Sequence, residues 1–181
     1  IGNNSNDEVI TVSNTAIPTA SAIKSAGAKV VFVDIGNDYL MNATKIEKYI
    51  TKNTKAIIPV HLYGQACDMK KICEIAKKNN LKIIEDCAQA QGAKFNTRYV
   101  GSFGDLGCFS FYPTKILGGY GDGGFISTNS LKLFQKVRRM RFYGIELFDK
   151  KNKFNKKYYA NENGVNSRLD EVQATILNIK L

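Results

Sequence analysis

One histidine, His61, and four cysteines without a single Cys-x-x-Cys pair are all that this sequence offers in nitrogen and sulfur metal ligands. A zinc centre draws on tighter cysteine pairs or neighbouring histidines, so no metal site is expected. Cys67, Cys73, Cys87 and Cys108 read instead as free thiols, the state of cysteines in a reducing compartment. No apolar run approaches the ~20 residues that span a bilayer. The opening residues, Ile1-Gly2-Asn3-Asn4-Ser5-Asn6-Asp7-Glu8, lack the basic start and apolar stretch of a signal peptide. The expectation is a cytoplasmic protein with no membrane partner. No P-loop pattern is present. Acidic side chains are scarce as well: 26 lysines and arginines against 16 acids leave a net charge of +10. Ten of those cations, and only two acids, fall in residues 132–157. No helix-turn-helix or stacking-aromatic pattern accompanies them. A solvated surface or a site for a phosphorylated small molecule therefore explains the charge better than nucleic acid does.

What is present is an ordinary globular balance, 44% apolar and 23% charged, in a chain of 181 residues, enough for one domain with a substantial core. Short apolar runs at 9–12, 29–34, 56–60 and 81–85 read as buried strands. Between them, residues 16–26 read as a helix, with Pro18 in its first turn and Gly27 at its end. Asn42 caps a second helix through about residue 50, and Asp68 a third through 79, with Met69, Ile72, Cys73 and Ala76 on one face. Strands alternating with helices predict βαβ units: an α/β fold, a three-layer sandwich around a mostly parallel sheet. Two further strands are predicted at 106–111 and 124–128. A helix capped by Asn129 or Ser130 runs through about 142, a long polar loop spans 143–163, and a final amphipathic helix covers 167–181.

Ligands of such sheets collect beyond the carboxyl ends of the strands. Asp86 stands at one such end, in Ile83-Ile84-Glu85-Asp86-Cys87-Ala88-Gln89. Lys115 closes Ser110-Phe111-Tyr112-Pro113-Thr114-Lys115, just ahead of a glycine-rich turn, Gly118-Gly119-Tyr120-Gly121-Asp122-Gly123. That turn formally contains G-x-G-x-x-G, but a strand follows it where the dinucleotide fingerprint requires a helix. Taken singly, Asp86 is a turn residue or cap and Lys115 a solvated lysine. Together they suit pyridoxal 5'-phosphate (PLP). A lysine makes the Schiff base, a carboxylate keeps the pyridinium nitrogen protonated, and a hydroxyl binds the phosphate.

The wider pattern resembles the DegT/StrS-type sugar aminotransferases, a branch of the fold-type I PLP enzymes. The resemblance rests on His61-Leu62-Tyr63-Gly64-Gln65, Glu85-Asp86-Cys87-Ala88-Gln89, Val100-Gly101-Ser102-Phe103-Gly104-Asp105, the Ser110 to Lys115 stretch, Gly121-Asp122-Gly123-Gly124 and Asn166-Ser167-Arg168-Leu169-Asp170-Glu171. These run in family order over nearly the whole chain.

The resemblance implies that Lys115 forms the Schiff base and moves protons, and that Asp86 pairs with the pyridinium nitrogen. It implies that Gln89 hydrogen-bonds the phenolic oxygen and Ser110 binds the phosphate. Asn166 would reach the phosphate of a neighbouring subunit's cofactor, which implies a homodimer with shared sites. Lysine rather than histidine at position 115 implies transamination rather than dehydration. The implied reaction transfers an amino group, from glutamate, to a dTDP- or UDP-linked keto-deoxysugar in amino-sugar or surface-polysaccharide biosynthesis. The alternative is a catalytically inactive binding or regulatory protein of the same fold. The family also has an upstream Gly-Thr phosphate loop and a smaller C-terminal domain. Residues 1–181 are thus expected to be the central part of the PLP-binding large domain and to bind the cofactor poorly alone. Ala16 stands where many relatives place an aromatic ring against the cofactor.

Overall fold

The computed structural model describes residues 5–145 and 159–181. Its centre is a six-stranded sheet made of β1 (Glu8–Val12), β2 (Lys29–Val33), β3 (Thr54–Ile57), β4 (Lys82–Asp86), β7 (Leu106–Ser110) and β8 (Gly124–Ser127). The spatial order is β2-β1-β3-β4-β7-β8. The first five of these strands pair in parallel and β8 runs antiparallel to β7. A two-stranded hairpin, β5 (Lys94–Phe95) and β6 (Arg98–Tyr99), lies between β4 and β7 in the chain. Among the described residues, four α-helices accompany the strands: α1 (Ile17–Ser25), α2 (Met69–Lys78), α3 (Leu131–Met140) and α4 (Glu171–Lys180).

Strand alternation explains the layers. Successive side chains of a strand point to opposite faces. Ile10, Val12, Val33, Ile57 and Ile83 join Met69, Ile72, Ile75 and Ala76 of α2 in one cluster. The intervening Val9, Ala56 and Ile58 join Ile23 of α1 and Ala28 in another. The sheet is therefore covered on both faces, as the alternating pattern predicts. The ends of α2 follow from local chemistry. Asp68 Oδ1 accepts the N–H of Lys71 at 3.0 Å, and Lys77 and Lys78 occupy the last turn, where cations favour the helix dipole. Gly27, at φ 79°, gives α1 the left-handed residue that ends a helix.

Several expectations are corrected. Residues 43–49 form a 3-10 helix, because the Asn42 carbonyl is taken by the N–H of Lys45, three residues on rather than four. β3 stops at Ile57: Pro59 has no N–H to give, and only a bridge between Val60 and Asp86 continues the pairing. The last helix begins at Glu171, not at 167, since Asn166 pairs with Phe142 and the Ser167 N–H is bound to the Arg141 carbonyl. The β5–β6 hairpin is too short to leave a periodic signal; only Asn96, at φ 55°, marks its turn. Among the described residues, no helix is long and apolar enough to cross a membrane. Most of the long loop placed at 143–163 lies outside the described residues.

Candidate functional site

The carboxyl ends of β4 and β7 lie side by side, with Asp86 opposite Cys108 and two residues from the end of β7 at Ser110. Asp86 is fixed on both carboxylate oxygens. Oδ1 accepts the Ala88 N–H at 3.1 Å, and Oδ2 accepts the Thr19 hydroxyl at 2.7 Å. Thr19 sits in the first turn of α1, buried, with its Oγ1 2.8 Å from Thr15 Oγ1. Sequence reasoning missed Thr19. Its one available signal was its place in the first turn of the helix after β1, on the ligand side of the sheet.

Gln89 is half-buried, and its Oε1 accepts the Tyr63 N–H at 3.2 Å. Because Tyr63 presents a donor, the facing atom must be the amide oxygen, which leaves the NH₂ group with donors to spare. Tyr63 itself holds a left-handed φ of 56°. Ser110 Oγ accepts the Tyr112 N–H at 3.2 Å, so its own O–H proton is uncommitted. Lys115 is half-buried on a tight turn closed by its N–H to the Tyr112 carbonyl at 2.9 Å. The glycine-rich stretch that follows is held from α4. Gln173 Oε1 accepts the Tyr120 N–H at 2.7 Å, and Lys180 Nζ donates to the Gly118 carbonyl at 2.6 Å. Any side chain at position 118 would press on backbone, since a Cβ there would stand 2.6 Å from the Pro113 carbonyl oxygen. β8 follows the glycines, so the turn is no dinucleotide fingerprint.

Asn166 is not tied to this cluster. It is exposed, its amide oxygen accepts from Arg168 Nε at 3.0 Å, and it pairs with Phe142. No hydrogen bond among the described residues links it to Asp86, Gln89, Ser110 or Lys115. Ala16 is exposed at the N-cap of α1 and offers no ring. Of the basic segment, α3 carries Lys132, Lys136, Arg138 and Arg139, with Arg139 Nε 2.6 Å from Glu162 Oε1. Residues 146–158 lie outside the described residues.

Behind the site, Glu85 is fully buried and surrounded by donors. Its Oε2 accepts the Gly101 N–H at 2.7 Å and His61 Nε2–H at 3.1 Å; its Oε1 accepts the N–H groups of Phe103 and Gly104, each at 2.7 Å. His61 Nδ1 takes the Cys67 N–H at 3.1 Å, so the ring proton resides on Nε2. Burial opposes the Glu85 charge. The His61 hydrogen bond and the backbone N–H groups of Gly104 and Gly101 outweigh it and hold the carboxyl below its ordinary value. Cys87 lies close to both residues, but burial pushes its thiol far up, and the Glu85 oxygens face N–H donors instead of an open coordination position. The group is a scaffold tying β4 to the 61–67 and 101–104 loops.

Two predictions follow from this geometry. Thr19→Val should lower stability by about 1.5–3 kcal/mol, the worth of a hydrogen bond to a charged group; an unchanged urea midpoint would show that Thr19 does not hold Asp86. Glu85→Gln should cost a comparable amount or more, because the amide NH₂ opposes N–H donors, a stranded buried donor costing about 1–3 kcal/mol, and the charge-assisted bonds to the remaining donors are weakened as well. The folded carboxyl titrates below its unfolded value. Its stabilisation is therefore complete above the ordinary carboxylate range and fades as pH falls through the depressed value. Melting curves across acidic pH should show a steeper loss in the parent than in the variant. Parallel curves would contradict the assignment.

Comparison with known proteins gives one family. Residues 1–181 match the DegT/DnrJ/EryC1/StrS aminotransferase family. The dTDP-3-amino-3,4,6-trideoxy-alpha-D-glucose transaminase of Micromonospora megalomicea subsp. nigra is 50% identical over 183 residues, covering 100% of this chain and 46% of that protein. A pleiotropic regulatory protein of Geobacillus stearothermophilus is 50% identical over 175 residues, 96% of this chain and 45% of its own length. In structure, NtdA from Bacillus subtilis with bound cofactor PMP superposes with a TM-score of 0.83 at 35% identity, over 96% of this chain and 38% of that one. The chain thus spans about half the length of the curated relatives it matches.

Proposed function

Because the chain belongs to the DegT/DnrJ/EryC1/StrS aminotransferase family, we propose that it forms the central part of a PLP-binding domain. The enzyme it serves moves an amino group from glutamate to a dTDP- or UDP-linked keto-deoxysugar. One observation carries this reading: Asp86, Gln89 and Ser110 each keep spare hydrogen-bonding capacity of the sign that PLP needs. Asp86 uses one lone pair on each oxygen for Ala88 and Thr19, and both oxygens retain acceptor capacity for a ring N–H. Gln89 has free donors for a phenolic oxygen, and Ser110 has a free donor for a phosphate.

When bound, PLP supplies an electron sink for charge developing at the amino-bearing carbon. The residues of this chain then divide the remaining work. Asp86 holds a proton on the ring nitrogen, since a close carboxylate favours the protonated form. Thr19 and Ala88 keep that carboxylate from rotating away. Lys115 Nζ accepts the proton released from the donor's amino-bearing carbon, and half-burial on a closed turn limits where that amine can go. Ser110 contributes one phosphate donor. Asn166, exposed and with no hydrogen bond to the cluster among the described residues, is proposed to serve the cofactor of a partner subunit in a homodimer. The basic segment 132–157, of which Lys132 and Lys136 lie on α3, is proposed to meet the diphosphate of a nucleotide sugar.

The name of the Geobacillus stearothermophilus relative keeps a regulatory reading in view. The presence of Asp86 and Gln89 after β4 and of Ser110 and Lys115 at and after the end of the neighbouring β7 favours catalysis. The test is a panel of nucleotide-linked keto-sugars assayed with glutamate against the full-length protein. Formation of an amino-sugar product from at least one dTDP- or UDP-linked substrate is expected. Cofactor binding with no turnover on any substrate would favour the regulatory reading.

A further inference from the structure

We infer that Gln91 is a positioning residue for Lys115, an inference that rests on reading Lys115 as the cofactor lysine. Gln91 lies five residues beyond Asp86, in a turn held by Ala90 N–H to the Cys87 carbonyl and Ala93 N–H to the Ala90 carbonyl, both at 3.0 Å. From this fixed base its amide reaches the loop that carries Lys115 and grips both ends. Nε2 donates to the Ser110 carbonyl at 2.6 Å and stands 3.4 Å from the Leu117 carbonyl; Oε1 accepts the Leu117 N–H at 2.8 Å. These contacts bracket Lys115 on both sides in sequence. They also join it to the segment bearing Asp86 and Gln89, so that lysine and carboxylate are held in one frame.

The amide supplies a donor and an acceptor at once. A carboxylate supplies the acceptor for Leu117 but sets negative charge against two carbonyl oxygens. An aliphatic chain strands the Leu117 N–H and the Ser110 carbonyl. A lysine amine must meet an aldehyde carbon in a narrow range of approach, and a displacement of about 1 Å can cost about a hundredfold in rate. Ser110, the proposed phosphate donor, is touched by Gln91 only at its backbone carbonyl and is also held by its pairing with Gly124, so cofactor affinity should move less than the rate at which the covalent bond forms. That separation marks positioning as distinct from general loss of structure.

The experiment uses the full-length protein with Gln91→Leu and Gln91→Glu, circular dichroism confirming the fold of each. PLP binding is titrated by fluorescence. The lysine–cofactor bond, a C=N formed with loss of water, is trapped at timed intervals with borohydride and mapped by mass spectrometry. Amide hydrogen exchange is followed over residues 112–118. Expected for Gln91→Leu is labelling of Lys115 slowed about 10–100-fold with PLP affinity changed less, and faster exchange at Leu117. Gln91→Glu, which keeps the acceptor, should protect the Leu117 amide yet label slowly. Equal labelling rates in parent and both variants would overturn the inference while leaving Lys115 as the cofactor lysine. Absence of label on Lys115 in the parent protein would overturn both.

Discussion

Lys115→Ala is expected to abolish transamination and to leave the fold intact. The two halves of this expectation have separate grounds. The turn at Lys115 is closed by backbone, through its N–H to the Tyr112 carbonyl, and by Gln91, Gln173 and Lys180 around it. No hydrogen bond of Lys115 Nζ exists among the described residues, so trimming the side chain removes little from the folded state, within about 0.5 kcal/mol. The chemistry has no such redundancy. A positioned proton-transfer group is worth about 10²–10⁴-fold, and loss of the nucleophile adds to that. The glutamate half-reaction, followed by cofactor absorbance, measures the loss, and melting temperature measures the fold. An active, folded alanine variant would remove Lys115 from the mechanism.

Asp86→Asn should keep some cofactor bound but slow the half-reaction by several orders of magnitude. The asparagine oxygen can still accept the Ala88 N–H, and the Thr19 hydroxyl can rotate to accept from the new NH₂ group. Local structure therefore survives. What is lost is the negative charge: a neutral amide facing the ring nitrogen no longer favours its protonated form, and the electron sink weakens. Pre-steady-state rates with saturating glutamate test this. Rates equal to the parent's would reassign Asp86 as the cap of the turn after β4, held there by Thr19 for structural reasons.

The contrast between Asp86 and Thr19 indicates what a sequence can carry. Asp86 was legible because strand periodicity ends there, and the ends of parallel strands are where ligands bind. The strand at 9–12 and the Asp68 cap of α2 were legible for the same reason, since each is set by neighbours in the chain. Thr19 and Gln91 act across 67 and up to 26 residues, through contacts that exist only once the sheet has formed. The Glu85 cradle was hidden in another way. Its sequence appears beside Asp86 as one more acid at a strand end, yet alternation turns it to the opposite side, where four donors converge on it. The 3-10 helix after Asn42 and the late start of α4 were decided by backbone partners, Lys45 in one case and Phe142 and Arg141 in the other, that helical spacing does not reveal. Asn166 was named through resemblance alone, and its isolation from the cluster gives it a different standing from Lys115.

The central claim is that Lys115 is the residue that binds PLP covalently. The most direct measurement incubates the full-length protein with PLP, reduces with borohydride, digests, and locates the pyridoxyl group by mass spectrometry. The account predicts a single modified peptide with the label on Lys115, and its loss in Lys115→Ala. Label on another lysine, or none on a protein that demonstrably binds PLP, would contradict it.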